Sequence, residues 1–264
     1  MKRKGFLIGG AALILAGAMC FAVVLIKHHG DLRRLSAREY TGRVADYENV
    51  DCIVVEDENT DIVITSWGHD KVQLEYAECD EEWYDIQWDG STLHVIKRVQ
   101  PFFTLFSFEF FRPKLYIAVP DDYAGGLDID TSNGDITAEE PLHGHGAVFA
   151  TSNGDISLVG GLFDNFSAYN SNGDLTLKAI TAPAKFTAVT SNGDVELENI
   201  DSGEIHVKNS NGDVSGTIMG SEADCDISFH TSNGTGSRGT DNPQAKKKVY
   251  IDTSNGDIDV TFTE

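Results

Sequence analysis

Ser-Asn-Gly-Asp begins at Ser132, Ser152, Ser171, Ser191, Ser210 and Ser254, and a seventh copy at Ser232 reads Ser-Asn-Gly-Thr. Successive copies lie 20, 19, 20, 19, 22 and 22 residues apart. A period this regular means that one structural unit recurs, and a unit of this size can bury its apolar side only against its neighbours.

Aligning the copies on the serine shows what the unit is. Five and three residues before it stand Leu127 and Ile129, Ala147 and Phe149, Phe166 and Ala168, Phe186 and Ala188, Ile205 and Val207, Ile227 and Phe229, and Val249 and Ile251. Four residues past it come Ile136, Ile156, Leu175, Val195, Val214 and Ile258, with Leu158, Leu177, Leu197 or Val260 two further on in four copies. Apolar residues at every second place predict β-strands on both sides of the tetrapeptide, with these residues facing inward. Asn-Gly between two such runs bends the chain, because Gly takes positive φ freely and Asn tolerates it. A single copy reads as a hairpin with a type I′ turn. Seven near-identical units read more economically as a β-solenoid, or β-helix-like stack, of ~20-residue rungs.

The chain divides accordingly. Residues 124–264 are the regular repeat, and residues 44–123 read as degenerate rungs and a cap. Short β runs are expected there at Cys52–Val55, Asp61–Thr65, Val72–Tyr76, Ile86–Trp88, Leu93–Ile96 and Leu115–Val119. Terminal repeats are atypical because they close the stack. Residues 1–29 differ in kind: Gly5 to Ile26 is 22 residues without a charge, between Lys2, Arg3 and Lys4 on one side and Lys27 on the other. At ~1.5 Å per residue this spans a ~30 Å hydrocarbon core, so a single N-terminal transmembrane helix is expected, with residues 30–43 as a juxtamembrane linker. The run exceeds a signal-peptide core and no small-residue cleavage site ends it. The basic N-terminus favours a cytoplasmic tip and an extracytoplasmic β domain at the cell membrane, against the competing pull of Arg33, Arg34 and Arg38.

Charge excludes one class of partner. With 42 acidic against 20 basic residues the chain carries −22, which argues against nucleic acid, whose recognition rests on Lys and Arg. Beyond Cys20, the cysteines Cys52, Cys79 and Cys225 match no zinc or redox spacing; three free thiols or a Cys52–Cys79 bridge are both compatible with the sequence.

The segment from Leu115 through Val119-Pro120-Asp121-Asp122 into the first Ser-Asn-Gly-Asp, followed by the repeat series, resembles the bacterial "putative adhesin" β-strand-repeat family of unknown function. The likeness spans roughly residues 48–264. It implies a β-solenoid-like domain, frequently behind a membrane anchor, in envelope-associated proteins, some of which look like accessories of envelope-stress signalling. The family transfers no catalytic residue. The expected partners are therefore the membrane through the N-terminal helix, and an envelope protein or cell-wall polymer through the β domain.

Two groups are candidate sites. Asp135, Asp155, Asp174, Asp194, Asp213 and Asp257 recur at the outward parity of each rung, ~4.8 Å apart if the rungs stack. Like charges so spaced repel by ~1 kcal/mol in water. Either each carboxylate accepts N–H groups of its own turn, or the column binds calcium, which takes carboxylate and carbonyl oxygens. The second group is Phe102, Phe103, Phe106, Phe108, Phe110 and Phe111, either a plug over an open end or a contact surface centred on Phe106 and Phe108. Lesser signals are the G-x-G-x-x-G match at Gly234–Gly239, which no helix follows, the turn histidines His143 and His145, and the basic loop Lys246–Lys248, a docking point for an anionic polymer or a solvated insertion. Catalysis, as in a polysaccharide-acting β-helix enzyme, needs a non-repeating cluster of acids and bases; the outward acids here repeat, so no enzyme is expected.

Overall fold

The computed structural model describes residues 39–100, 113–240, 242 and 244–263. The chain divides into two units, and the described residues fall almost wholly in the one made of Thr41–Val99 and Pro113–Glu264. That unit is all-β: twenty strands in one continuous sheet, with a single 3-10 turn at Glu222–Asp224 among the described residues. The apolar segment Gly5–Ile26 and the phenylalanine run with Phe106 and Phe108 lie outside the described residues. Among the described residues no helix is long and apolar enough to cross a membrane.

Each rung contributes one strand before its tetrapeptide and one after it, and these form two faces. The incoming face runs, in hydrogen-bonded order, Glu82–Trp88, Thr92–Val99, Cys52–Asp57, Gly126–Thr131, Leu142–Thr151, the second half of Ile156–Asn170, Lys185–Val189, Glu204–Lys208, Lys247–Asn255 and Cys225–Asn233. The outgoing face runs Thr41–Tyr47, Val72–Glu78, Leu115–Pro120, Ile62–Trp67, Ile136–Ala138, the first half of Ile156–Asn170, Leu175–Thr181, Val195–Ile200, Val214–Met219 and Ile258–Thr263. Pairing between repeat rungs is parallel, which excludes the hairpin reading: a type I′ turn would have made its two flanking strands antiparallel partners. The backbone agrees, since the only non-glycine residues at positive φ among those described are Asn49, Ala179 and Asn199, none of them in a tetrapeptide.

The core lies between the faces and is made of the residues the alignment placed inward. Phe149, Phe166 and Phe186 are fully buried, and the Phe166 ring stacks on Phe186 at 5.2 Å and meets Phe149 and Phe163 at 5.9 and 5.8 Å. Each of these rungs pairs its phenylalanine with an alanine, Ala147, Ala168 or Ala188, so the rings fit without overfilling the layer. Glu58-Asn59-Thr60-Asp61 takes the place of the tetrapeptide in the rung below Ser132, so residues 50–67 belong to the same stack as the regular repeats.

Three polar columns climb the turn edge. In the first, each side-chain amide donates to the one below: Asn133 to Asn59, Asn153 to Asn133, Asn172 to Asn153, Asn192 to Asn172, Asn211 to Asn192, Asn255 to Asn211 and Asn233 to Asn255, at 2.8–2.9 Å. In the second, Oδ1 of each aspartate accepts the backbone N–H at the same place one rung further on. Asp61 accepts from Asp135, Asp135 from Asp155, Asp155 from Asp174, Asp174 from Asp194, Asp194 from Asp213, Asp213 from Asp257 and Asp257 from Thr235, at 2.7–3.2 Å. The third is buried. The residue before each serine donates to a backbone carbonyl of the adjacent rung, that of Thr60 for Thr131 and of the turn glycine elsewhere, as Thr151 to Gly134 at 3.0 Å, Asn170 to Gly154 at 2.7 Å and Thr190 to Gly173 at 3.1 Å.

These columns correct the expected own-turn capping of the aspartates. The turn's Asn and Gly N–H groups already reach neighbouring rungs, Asn192 N to Ser171 O and Gly193 N to Asn211 O, so the carboxylate serves the next rung's aspartate N–H instead. They also explain the invariable glycine. A Cβ on Gly193 would stand 2.1 Å from the Gly173 carbonyl oxygen, and one on Gly256 would stand 2.0 Å from that of Gly212; both residues also lie at positive φ, +150° and +159°. Close approach of stacked backbones is the stronger of the two demands.

The rungs do not stack in chain order. The last strand pair, Lys247–Asn255 with Ile258–Thr263, slots in above Glu204–Lys208 and Val214–Met219, and Cys225–Asn233 is displaced to the end. The aspartate column accounts for the one deviant copy: Asp is needed only as an acceptor for a following rung, and among the described residues Ser232-Asn-Gly-Thr235 has none after it. Its continuation closes the stack. Arg238 pairs back across Phe229, places its guanidinium 5.0 Å from that ring and donates to the Val260 carbonyl at 2.8 Å. The G-x-G-x-x-G match is this cap.

Candidate functional site

With interior and turns repeated so closely, individuality is confined to outward side chains. On the incoming face these are the residues four and two before each serine. Strand register sets them in two columns: Val54, Asp128, Val148, Ser167, Thr187, His206, Tyr250, Ser228, and beside it Glu56, Asp130, Ala150, Tyr169, Val189, Lys208, Asp252, His230. The face therefore has a polarity, acidic at Glu56, Asp128 and Asp130, apolar and aromatic in the middle, and mixed where the histidines and Lys208 gather. Burial, together with Asp128 and Glu56 alongside, pushes the Asp130 carboxyl above its ordinary value.

Over the C-terminal half of this face lies an open groove of about 600 Å³, bordered by Tyr169, Lys185, His206, Lys208, His230 and Tyr250. The Tyr250 and His206 rings sit 4.9 Å apart. His206 Nε2 contacts Glu204 Oε1 at 2.8 Å and Lys185 Nζ reaches the same oxygen at 3.4 Å, so the histidine first and the lysine second hold the Glu204 carboxyl below its ordinary value. Tyr169 is 42% exposed on the open face of the sheet. The groove offers flat rings, hydroxyls, donors and acceptors, the means of holding a ligand in place.

The sequence-level candidates fare differently. The six repeat aspartates do form a column and are all exposed, with one oxygen of each committed to an N–H of the next rung. Among the described residues no three His, Cys, Asp or Glu side chains converge into a group that could hold a metal ion. His145 meets Asp164 at 3.1 Å on the surface, and Lys247 is tied to Asp201 at 2.7 Å. Cys52, Cys79 and Cys225 are free thiols, so the Cys52–Cys79 bridge does not form. Burial pushes all three thiols up.

The sequence alignment missed the groove because it was made to find what recurs. The signal was available in the complementary set: the outward places are the ones that change most from copy to copy.

Residues 50–234 match the family described as Toastrack DUF4097. The chain belongs to this family. No curated protein matches it. Solved structures similar to this Toastrack chain include one described as a putative adhesin from Bacteroides fragilis, at 13% identity over 84% of this chain and 97% of that one, with a TM-score of 0.47. Another is described as a putative lipid binding protein from Parabacteroides distasonis, at 12% identity over 87% and 98%, TM-score 0.45. A third, described as a putative cell adhesion protein from Clostridium sporogenes, shares 11% identity over 85% and 100%, TM-score 0.34.

Proposed function

We propose that this Toastrack chain is a non-catalytic binding module of the bacterial cell envelope, anchored by Gly5–Ile26 as a single membrane span and presenting its β stack outside the membrane. The supporting observation is the groove around Tyr169, His206, Lys208, His230 and Tyr250, where a scaffold of repeated rungs becomes non-repeating. The uncharged run of 22 residues with Lys on both flanks supports the anchor. In this reading the rungs supply rigidity, the turn columns hold their register, and the incoming face makes the contact, adhesin-like.

Cross-linking of the full-length protein in its native cells, followed by identification of what copurifies, tests the proposal. Wild type is to be compared with a Tyr169→Ala/Tyr250→Ala variant. Capture of envelope material that falls away in the variant supports the reading, with cell-wall polymer indicating an adhesin-like role and a discrete membrane protein a signalling accessory. Capture that is the same for both proteins rejects the groove as the contact surface.

A further inference from the structure

We infer that the groove on the incoming face is a saccharide subsite that takes an uncharged glycan chain, an inference that rests on the binding role proposed above. Four features of the groove lead to this chemistry.

The groove lies on the face of a sheet. Its backbone N–H and C=O groups are spent in parallel ladders between Lys185–Val189, Glu204–Lys208, Lys247–Asn255 and Cys225–Asn233. Peptides that add to sheets do so at an edge, where such groups are free. Here the C-terminal edge is covered by the returning segment through Arg238. Only side chains are left to do the recognising.

The side chains present suit sugar rings. A pyranose has C–H faces and a rim of hydroxyls, each both donor and acceptor, so a site for it needs flat apolar surface and both hydrogen-bonding polarities. Tyr169 and Tyr250 supply rings three rungs apart, ~14 Å along the stack. Ser167 stands in the same rung as Tyr169, Thr187, His206 and Lys208 lie in the two rungs between the rings, and Asp252 is beside Lys208 in register. Tyrosine gives such contact area at low conformational cost.

Charge argues for an uncharged ligand. Of the two lysines that line the groove, Lys185 is paired with Glu204 just outside it at 3.4 Å and Lys208 stands beside Asp252 in register, so each has a carboxylate to offset it, in a chain of −22. A polyanion would find no net attraction in the groove and repulsion around it, while a cation would be drawn to Glu56, Asp128 and Asp130 at the other end of the face. The volume of about 600 Å³ lies within the range of small-ligand sites, and the groove is open, so a chain can enter and leave it.

The test is isothermal titration of the full-length protein, in detergent micelles, with cellohexaose, N-acetylchitohexaose and, as anionic comparison, hexagalacturonate. The expected result is saturable binding of a neutral hexasaccharide. Tyr169→Ala/Tyr250→Ala should weaken it by at least about 10-fold, as loss of aromatic anchors does. Tyr116→Ala, on the exposed outgoing face away from the groove, should bind within about twofold of wild type. Far-ultraviolet circular dichroism of each variant guards against unfolding, and Tyr169→Ala alone suffices if the double variant fails to fold. Binding of hexagalacturonate alone, neutral binding that survives the tyrosine changes, or no saturable binding of any probe would overturn the inference. In the last case, cross-linking in cells that still depends on Tyr169 and Tyr250 would preserve the envelope-binding role with a protein partner, whereas failure of both removes both.

Discussion

Asn255 donates its side-chain amide to Asn211, 44 positions earlier, at 2.8 Å and accepts one from Asn233 at 2.9 Å, so the last tetrapeptide of the chain sits between the fifth and sixth. Among the described residues the rung of Cys225–Asn233 has no parallel neighbour other than Lys247–Asn255. Deleting residues 247–264 should therefore remove two rungs, not one. Hydrogen exchange is expected to show loss of protection over 225–239 with protection retained over 126–200.

The phenylalanine column makes a second expectation. Phe166 contacts three other rings and is fully buried, so Phe166→Ala removes a whole side chain from a closed layer. A loss of about 3–5 kcal/mol is expected in denaturant unfolding. Tyr116→Ala, at a tyrosine that is 42% exposed, should cost much less.

Gly193→Ala should destabilise by about 1–3 kcal/mol or more, because the new Cβ meets backbone and not a movable side chain. Gly42→Ala is the matched comparison, since nothing lies within 4 Å of its added Cβ. Its melting temperature should match wild type. Equal effects at the two sites would refute the close-stacking account of the turn glycines.

The buried column before the serines is tested by Thr190→Val, which keeps shape and removes the donor to the Gly173 carbonyl. The expected cost is about 1–3 kcal/mol, the range for a buried acceptor left unsatisfied. Thr190→Asn should recover much of it, because Asn170 and Asn209 make the same bond in neighbouring rungs.

Two aspartates should respond to pH in opposite senses. The Thr235 N–H, and then its hydroxyl, hold the Asp257 carboxyl below 3.8, so its contribution is present above the unfolded value and lost as pH falls through the folded one. The cap around Thr235 and Arg238 should accordingly lose exchange protection first on acidification. Asp130 is shifted the other way by burial and by Asp128 and Glu56, so its ionised form is disfavoured in the fold. Asp130→Asn should raise the melting temperature at neutral pH, and the gain should shrink as pH falls through the raised folded value and be gone below the ordinary carboxylate value.

Much of the architecture was legible in the repeat. The inward residues Phe149, Phe166, Leu175 and Val195 were identified from period-2 alternation alone, because burial on one side of a strand leaves that mark whatever the strand pairs with. Parallel or antiparallel pairing was less legible, since Asn-Gly serves both as a hairpin turn and as a bend between stacked strands. The groove was not legible at all: Tyr169, His206 and Tyr250 are separated in sequence by 37 and then 44 residues and are brought to one face only through register.

The sequence by itself determined the rung, its length, its interior and its turn chemistry, because these follow from local alternation and from residues that every copy must carry. It also held a mark of the stack's end, the threonine at 235 where other copies have aspartate, though that mark had no meaning without neighbours. The tertiary structure alone decided the order of rungs. Each copy offers nearly the same Asn, Gly and inward pair to whichever rung lies above it, so the ladders by themselves cannot distinguish neighbours. The choice rests on non-repeating contacts, Arg238 on Phe229 and Val260, Lys247 on Asp201, and the missing acceptor at Thr235, which exist only once the chain has folded back on itself.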